Sequence, residues 1–174
     1  MFFMAKKRGK LEFCEEVGRE KCCNKLVVFI ASFLIVFIVA FLGSLFTSFG
    51  TKTPWYDSIK PEITPPDYVF PIAWTILFFL IALSLFFSWV NSLKKEKKSI
   101  FFLYGANFIL NVLWSVFYFC LQNPILAFID IILLLVSIIL LLSFNWKIDR
   151  KAAWLLVPYL LWVAFASILN LLSI

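Results

Sequence analysis

Five long apolar runs are the feature that most constrains what this chain can fold into. They cover approximately residues 26–49, 68–91, 99–121, 125–146 and 152–174, and are called spans 1 to 5 below. A helix needs about 20 residues to cross a hydrocarbon core of about 30 Å, and a backbone in lipid must satisfy its own hydrogen bonds. Continuous apolar runs favour helices over the alternating strands of a barrel. The sequence therefore predicts an all-α membrane protein, built as a bundle of five transmembrane helices.

Composition excludes several classes of function. The 174 residues are 63% hydrophobic and 15% charged, whereas soluble domains carry about 25% charge. Histidine, the commonest general base and metal ligand, does not occur. The four cysteines lack metal-binding or redox spacing, so we predict free thiols, no metal site, no cofactor and no catalytic residue of the ordinary kind. Cys22 and Cys23, just before span 1, are a candidate site of acylation.

The distribution of charge predicts the topology. Residues 1–25 form a charged segment of mixed sign, interpreted as a cytoplasmic tail that precedes a membrane domain over residues 26–174. With five spans, the tail and the 2–3 and 4–5 turns share one side and carry fourteen Lys and Arg residues, against two on the opposite side. The positive-inside rule then places the N-terminus in the cytoplasm and the C-terminus opposite. The membrane is the cell membrane in a prokaryote, or a mitochondrial or other organelle membrane in a eukaryote.

The same charge distribution bears on partners and packing. The net charge of +6 indicates orientation and contact with lipid headgroups rather than with nucleic acid. Because the turns are short, we expect each helix to pack antiparallel to the one before it. Trp89, Trp146 and Trp154 lie near span ends and are typical of anchors at the headgroup level.

The connector between spans 1 and 2, residues 50–67, is the polar exception. The stretch from Pro54 to Trp74 holds five of the seven prolines. Proline fixes φ and restricts the residue before it, so the connector is predicted to be stiff and folded, neither one regular helix nor a loose coil. The charge distribution places it on the non-cytoplasmic side.

Polar residues recur on one face of span 3. Asn107, Asn111 and Ser115 follow at every fourth position, with Trp114 and Tyr118 beside them. A polar side chain at membrane depth usually faces the bundle interior. Two interpretations stay open for the asparagines. They form hydrogen bonds between helices, worth about 0.6–2 kcal/mol each, or they contact a ligand.

The other spans contribute matching inward residues. Span 2 offers Trp74 and Phe78, and span 4 carries Asp130, the only intramembrane charge, for which a structural role is favoured over proton handling. Span 5 has a second stripe, made of Pro158, Trp162, Ala166 and Asn170, with Tyr159 and Phe165 beside it. Small residues, aromatic rings and a few amides are typical of an apolar cavity for a flat hydrophobic molecule. The connector then becomes a candidate lid.

Motifs spread over residues 43–170 resemble a known family. They are Trp55-Tyr56, Lys60-Pro61, Pro65-Pro66, residues 69–75, 111–115, 127–130 and 158–166, with Leu169-Asn170. In this order and on these spans they resemble the TspO/MBR family, the tryptophan-rich sensory proteins and translocator proteins, also called peripheral-type benzodiazepine receptors. The resemblance implies a five-helix fold, usually a homodimer, with a ligand pocket under the connector. It also implies binding of porphyrins, of benzodiazepine-type compounds and, in animals, of cholesterol.

The resemblance also carries residues over to this chain. The implied ligand-binding residues are Trp74, Phe78, Asn111, Trp114, Trp162, Phe165 and Ala166. The implied lid residues are Trp55, Ile63, Pro65 and Pro66. Phe78 stands where relatives have a tyrosine, and Ile63 stands where many have a tryptophan, so the ligand preference is expected to differ.

The leading prediction is a membrane-embedded binding protein for porphyrins, other tetrapyrroles or similar flat hydrophobic ligands, acting in their sensing, sequestration or transport. Its expected partners are that ligand, membrane lipid and a second copy of the chain. One alternative is an enzyme that degrades porphyrin in light through Trp74 and Trp162. Another is a structural or partner-binding membrane protein whose cavity is collapsed by its phenylalanines.

Overall fold

The structure is a computed structural model that describes the backbone of residues 2–174 and the side chains of residues 24–174. Its helices are α1 (Phe2–Gly50), α2 (Pro54–Ile59), α3 (Val69–Asn91), α4 (Lys97–Ser115), α5 (Pro124–Ile148), α6 (Arg150–Trp154) and α7 (Val157–Leu171). Residues Val116–Cys120 extend α4 as a π-helix. Most of the predicted tail, including Cys22 and Cys23, lies outside the described side chains.

Five helical segments are long and apolar enough to cross a membrane. They are Asn24–Gly50, Val69–Asn91, Lys97–Cys120, Pro124–Ile148 and Arg150–Leu171. The prediction of an all-α, five-span membrane protein is thereby confirmed. The largest difference in boundary falls at the end of span 5, which stops at Leu171 rather than at residue 174. The chain is an integral, multi-pass membrane protein.

The spans form a ring in the order 1, 2, 5, 4, 3. Span 1 packs against spans 2 and 3, span 4 packs against spans 3 and 5, and α6 of span 5 packs against span 2. Each span contacts the one before it, but span 3 packs more extensively on span 1 than on span 2, which the short turn between spans 2 and 3 did not predict.

Small residues let spans 1 and 3 approach closely, which explains this order. A Cβ on Gly43 would lie 3.8 Å from Ser115 Oγ, and the Thr47 hydroxyl donates to the same oxygen at 3.4 Å. Further along, Gly50 lies directly against Phe119. Such contacts are typical of helix pairs in membranes, where small residues permit close backbone packing.

Span 5 is broken, which the sequence interpretation missed. Helix α6 ends at Trp154 and α7 begins at Val157. Pro158 occupies the first turn of α7, where its missing N–H costs no hydrogen bond. The Leu156 N–H bonds instead to the Ala153 carbonyl, three residues back, at 3.0 Å. The break places Tyr159, immediately after the proline, in the bundle interior with no exposed surface.

The end of span 3 next to the connector contains a second irregularity. At Val116–Cys120 the helix widens to a π-helix, and the Leu121 N–H reaches the Val116 carbonyl, five residues back, at 2.9 Å. Consecutive residues Tyr118 and Phe119 are both buried there. The predicted turn follows, with Gln122 at a φ of 50°, and Asn123 caps α5 by accepting from the Leu126 N–H at 3.0 Å. The widening and the burial of Phe119 were not predicted, whereas Tyr118 was placed beside the inward-facing stripe of span 3.

A buried hydrogen-bond network joins spans 2, 3, 4 and 5 near the 2–3 and 4–5 turns. The Tyr104 hydroxyl shares a 2.7 Å hydrogen bond with Ser84 Oγ and accepts from Asn145 Nδ2 at 3.0 Å. Ser88 Oγ donates to Asn145 Oδ1, and Ser84 Oγ donates to the Ala152 carbonyl. Because each group has a partner away from water, the network ties four helices at low cost.

We predict that Gly50→Ala destabilises the protein. The added Cβ would lie 2.7–2.9 Å from three atoms of Phe119, including its backbone Cα, so span 1 and the π-helix must separate. Overpacking of this kind costs about 1–3 kcal/mol, and the melting temperature in detergent should fall. Gly105→Ala is the matched control, because nothing lies within 4 Å of its added Cβ. Equal melting temperatures for the two variants would contradict this contact.

Tyr104→Phe tests the buried network. Removing the hydroxyl leaves the buried Asn145 amide without one acceptor and takes a partner from Ser84 and Ser88. We expect a loss of about 1–3 kcal/mol, measured as a lower melting temperature. Phe102→Leu, on the exposed surface of the same helix, should change it little. A Tyr104→Phe protein as stable as the wild type would show that the network does not stabilise the bundle.

Candidate functional site

Tyr159 lies at the centre of the predicted ligand-binding residues. Its hydroxyl accepts from Asn111 Nδ2 at 3.2 Å and lies 3.3 Å from Asn107 Oδ1, to which it donates. Asn107 Nδ2 in turn donates to Ser137 Oγ at 2.8 Å. All three members of the central chain are buried. The asparagines of span 3 thus form hydrogen bonds to spans 4 and 5, as the structural interpretation expected, and Asn111 keeps its place among the candidate ligand contacts.

Trp74 joins this chain from span 2. Its ring stacks on Phe78 with centroids 5.3 Å apart and meets the Tyr159 ring edge-on at 6.3 Å. Phe78 is buried, whereas Trp74 is half-buried. The phenyl ring of Phe78 therefore stacks on the indole, a contact that needs no hydroxyl, and the indole keeps part of its surface exposed.

Trp162, Phe165 and Ala166 form a neighbouring group on span 5. The Trp162 ring lies 5.9 Å from Phe165 and 5.9 Å from Phe70, at the start of span 2. All three residues of the group are half-buried. Trp162 and Ala166 pack against the same apolar core as Trp74. Phe70, the residue next to the connector that reaches this group, was not among the predicted site residues.

Trp114 is engaged within the protein itself. Its indole N–H donates to Asn170 Oδ1 at 3.0 Å, and Asn170 Nδ2 donates to the Pro124 carbonyl at 2.9 Å. The Trp114 ring stacks on Tyr118 at 5.3 Å. These contacts join the outer ends of spans 3, 4 and 5, so Trp114 supports the end of the bundle that carries the connector.

The connector rests on that end through aromatic contacts. Trp55 meets Tyr118 at 5.8 Å and Tyr56 meets Phe119 at 5.8 Å, both on the π-helix. An ion pair between Lys60 and Asp67 closes the proline-rich half. Burial, followed by the charges of Asp67 and Asp57, raises the pKa of the Tyr56 hydroxyl, which stays protonated.

The four candidate lid residues differ in position. Trp55 and Pro65 are half-buried, whereas Ile63 and Pro66 are exposed. Ile63 is 57% exposed, so its side chain points away from the bundle in this arrangement. The structure packs Trp55 on Tyr118, in the same cluster as Trp114, and leaves Ile63 exposed.

Asp130 differs from every other polar residue of the interior. It is 4% exposed, and its Oδ2 atom is buried with no hydrogen-bond partner. From the sequence, a structural, hydrogen-bonded carboxyl was favoured for this residue, but this oxygen forms no hydrogen bond within the protein. A buried acceptor without a partner costs about 1–3 kcal/mol, which makes Asp130 a further candidate for ligand contact.

The predicted residues therefore fall into three connected groups. Trp74 and Asn111 contact Tyr159, and Phe78 stacks on Trp74. Trp162, Phe165 and Ala166 lie beside them, and Trp114 lies beneath the connector. In the part of the chain that the structure describes, no three His, Cys, Asp or Glu side chains come together as metal ligands. The arrangement offers aromatic faces and amide groups for binding, and no nucleophile beside a base.

Comparison with known proteins places the chain in a family. The model of the TspO/MBR family matches residues 32–173. The tryptophan-rich protein TspO of Archaeoglobus fulgidus is 41% identical over 145 residues, covering 81% of this chain and 91% of that protein. The protein of the same name from Bacillus cereus is 37% identical, covering 80% and 92%.

More distant relatives carry other names. The tryptophan-rich sensory protein of Cereibacter sphaeroides is 32% identical, covering 67% of this chain and 72% of that protein. The translocator protein of Ovis aries is 31% identical, covering 75% and 78%. The family match includes all five membrane spans, with only the first part of span 1 outside it. This chain belongs to the TspO/MBR family.

Proposed function

We propose that this protein binds porphyrins or similar flat hydrophobic molecules within the membrane, and so takes part in their sensing, sequestration or movement. One observation carries the proposal. Trp74 and Trp162 are only half-buried, although both pack on the core and flank the buried Tyr159–Asn111 hydrogen bond. Indole faces that the protein leaves partly uncovered, next to a buried amide, suit a flat aromatic ligand.

The amides would orient the ligand. Asn111 donates one N–H to Tyr159, and Asp130, whose Oδ2 atom has no partner in the protein, is a second candidate polar contact for a ligand that reaches it. The names of the relatives, sensory protein and translocator protein, agree with a role in detecting or moving a small molecule. The homodimer, the cytoplasmic N-terminus and a light-dependent breakdown of porphyrin through Trp74 and Trp162 remain predictions beside this proposal.

The connector would act as the lid of the site. Trp55 and Tyr56 hold it on the π-helix, and Phe70, which follows its last prolines, touches Trp162. A ligand that reaches Trp162 from this end must displace or pass the connector. Dissociation should therefore depend on the aromatic contacts that keep the connector closed.

Protoporphyrin IX should quench the tryptophan fluorescence of the purified protein in detergent. We expect Trp162→Ala combined with Asn111→Ala to weaken the apparent affinity by about tenfold or more, since buried ring and amide contacts are worth about 1–2 kcal/mol each. Trp154→Ala, which removes an exposed indole far from the site, is the control. Identical titrations of the double variant and the wild type would overturn the pocket assignment.

The same complex separates binding from breakdown. If the protein only binds protoporphyrin, the Soret band under illumination should fade at the same rate in the wild type and in a variant with Trp74 and Trp162 replaced by phenylalanine. Faster fading in the wild type would establish the degradative alternative. If no flat hydrophobic compound raises the melting temperature, the structural alternative with a collapsed cavity would be favoured.

Trp55→Leu should speed ligand release with little effect on the pocket itself. Loss of the Trp55–Tyr118 contact weakens the closed connector by about 1 kcal/mol, so the dissociation rate measured by stopped-flow fluorescence should rise about fivefold. Ile63→Ala is a control in the same connector, because Ile63 is exposed. Equal release rates from the two variants would argue against a lid.

A further inference from the structure

The turn between spans 4 and 5 is held rigidly and carries three cationic residues. A single residue, Asp149, separates α5 from α6. One of its carboxylate oxygens accepts from the Lys151 N–H at 2.7 Å, and the other accepts from Asn91 Nδ2 on span 2. The turn is thereby fastened to a neighbouring span. Lys147, Arg150 and Lys151 are presented within five residues of each other at fixed positions on this turn.

Two exposed indoles stand beside these cations. Trp146 is 45% exposed and Trp154 is 61% exposed, and their rings lie 5.9 Å apart. The Arg150 guanidinium lies 5.6 Å from the centre of the Trp146 ring. Neither indole packs on the bundle core. Tryptophan in such a place faces the headgroup layer, and Arg150 is held there by cation–π attraction.

A shallow surface depression of about 380 Å³, wide open to its surroundings, lies along the same face of span 4 and is called the groove below. It is lined by Leu142, Ser143, Trp146 and Lys147, one turn after the other. The groove is therefore cationic at the turn and apolar towards the membrane interior. This polarity matches an amphiphile with an anionic head and hydrocarbon tails.

Among the side chains of residues 24–174, the one ion pair joins Lys60 to Asp67, in the connector, so none of the three cations of the turn forms a salt bridge there. Asp149 lies in the same turn and offsets one of the three positive charges, while its oxygens accept from Asn91 Nδ2 and the Lys151 N–H. The turn therefore keeps a net positive charge. Anionic lipids attract basic residues at a membrane surface, and basic pockets beside spans bind their headgroups.

We propose that the surface formed by Leu142, Ser143, Trp146, Lys147, Arg150 and Trp154 is a binding site for one anionic phospholipid. The phosphate accepts hydrogen bonds from Lys147 and Arg150. The headgroup edge lies against the two indoles, and the first acyl carbons follow Leu142 towards the membrane interior. This site is separate from the proposed porphyrin site and does not depend on it.

Lipid titration tests the site. Purified protein in a neutral detergent is mixed with phosphatidylglycerol or with phosphatidylcholine, and bound lipid is counted by native mass spectrometry. The wild type should retain one phosphatidylglycerol with at least about tenfold preference over phosphatidylcholine, given the contribution of two cationic contacts. Lys147→Gln combined with Arg150→Gln should remove most of that preference.

The matched control is Lys94→Gln combined with Lys95→Gln. These lysines are exposed in the turn between spans 2 and 3, so the control changes the net charge equally at the same end of the bundle. It should reduce phosphatidylglycerol binding by less than about threefold. Equal losses in the two double variants would show a diffuse surface charge and overturn the site, as would equal binding of the two lipids by the wild type.

Replacing one of the indoles provides a second test, in which lipid preference and melting temperature are measured separately. Trp154→Leu keeps all three cations and removes one wall of the surface. Its preference for phosphatidylglycerol should fall about threefold or more, while its melting temperature without lipid stays near that of the wild type, because Trp154 is exposed. An unchanged preference would exclude the indoles from the site.

Discussion

A tyrosine hydroxyl in a membrane interior must find partners among neighbouring helices, and this bundle depends on two of them. Tyr104 and Tyr159 are both essentially without exposed surface. Tyr104 joins spans 2, 3 and 4 through Ser84, Ser88 and Asn145. Tyr159 joins span 5 to Asn107 and Asn111 of span 3. Because lipid offers no competing hydrogen bonds, leaving either hydroxyl unpaired is costly, and these contacts tie together spans that are not adjacent in the ring.

The two halves of the bundle differ in how completely they satisfy their polar groups. Around Tyr104, the buried oxygen and nitrogen atoms that the structure describes find partners within the protein. The half beneath the connector holds the half-buried indoles of Trp74 and Trp162 and the unpartnered oxygen of Asp130. A closed, hydrogen-bonded base and a less complete upper half are what a binding protein needs if the scaffold must stay constant while a ligand enters and leaves.

The five spans could be predicted from the sequence because hydrocarbon thickness sets the length of an apolar helix. The stripe of Asn107 and Asn111 could also be predicted, since polar groups at that depth face inwards. The break before Val157 could have been predicted from Pro158, because a proline within a helical run breaks or kinks the helix. The π-helix at Val116–Cys120 could not, because no local pattern marks it. The sequence also shows polar residues within spans 2 and 4, namely Ser84, Ser88 and Asn145. Because polar groups at membrane depth face inwards, these residues would have indicated the network around Tyr104.

Because of the π-helix, the seat of the connector depends on the number of residues in span 3 as well as on their chemistry. An α-helix turns by about 100° per residue, so its consecutive positions cannot both face the same neighbour. The residue added within Val116–Cys120 is what lets Tyr118 and Phe119 stay buried together, one beneath Trp55 and the other beneath Tyr56. Deleting one residue from this segment would leave the span long and apolar enough to cross the membrane. It would nevertheless rotate one ring away from the connector, so the seat of the connector depends on the spacing of this segment as well as on its composition.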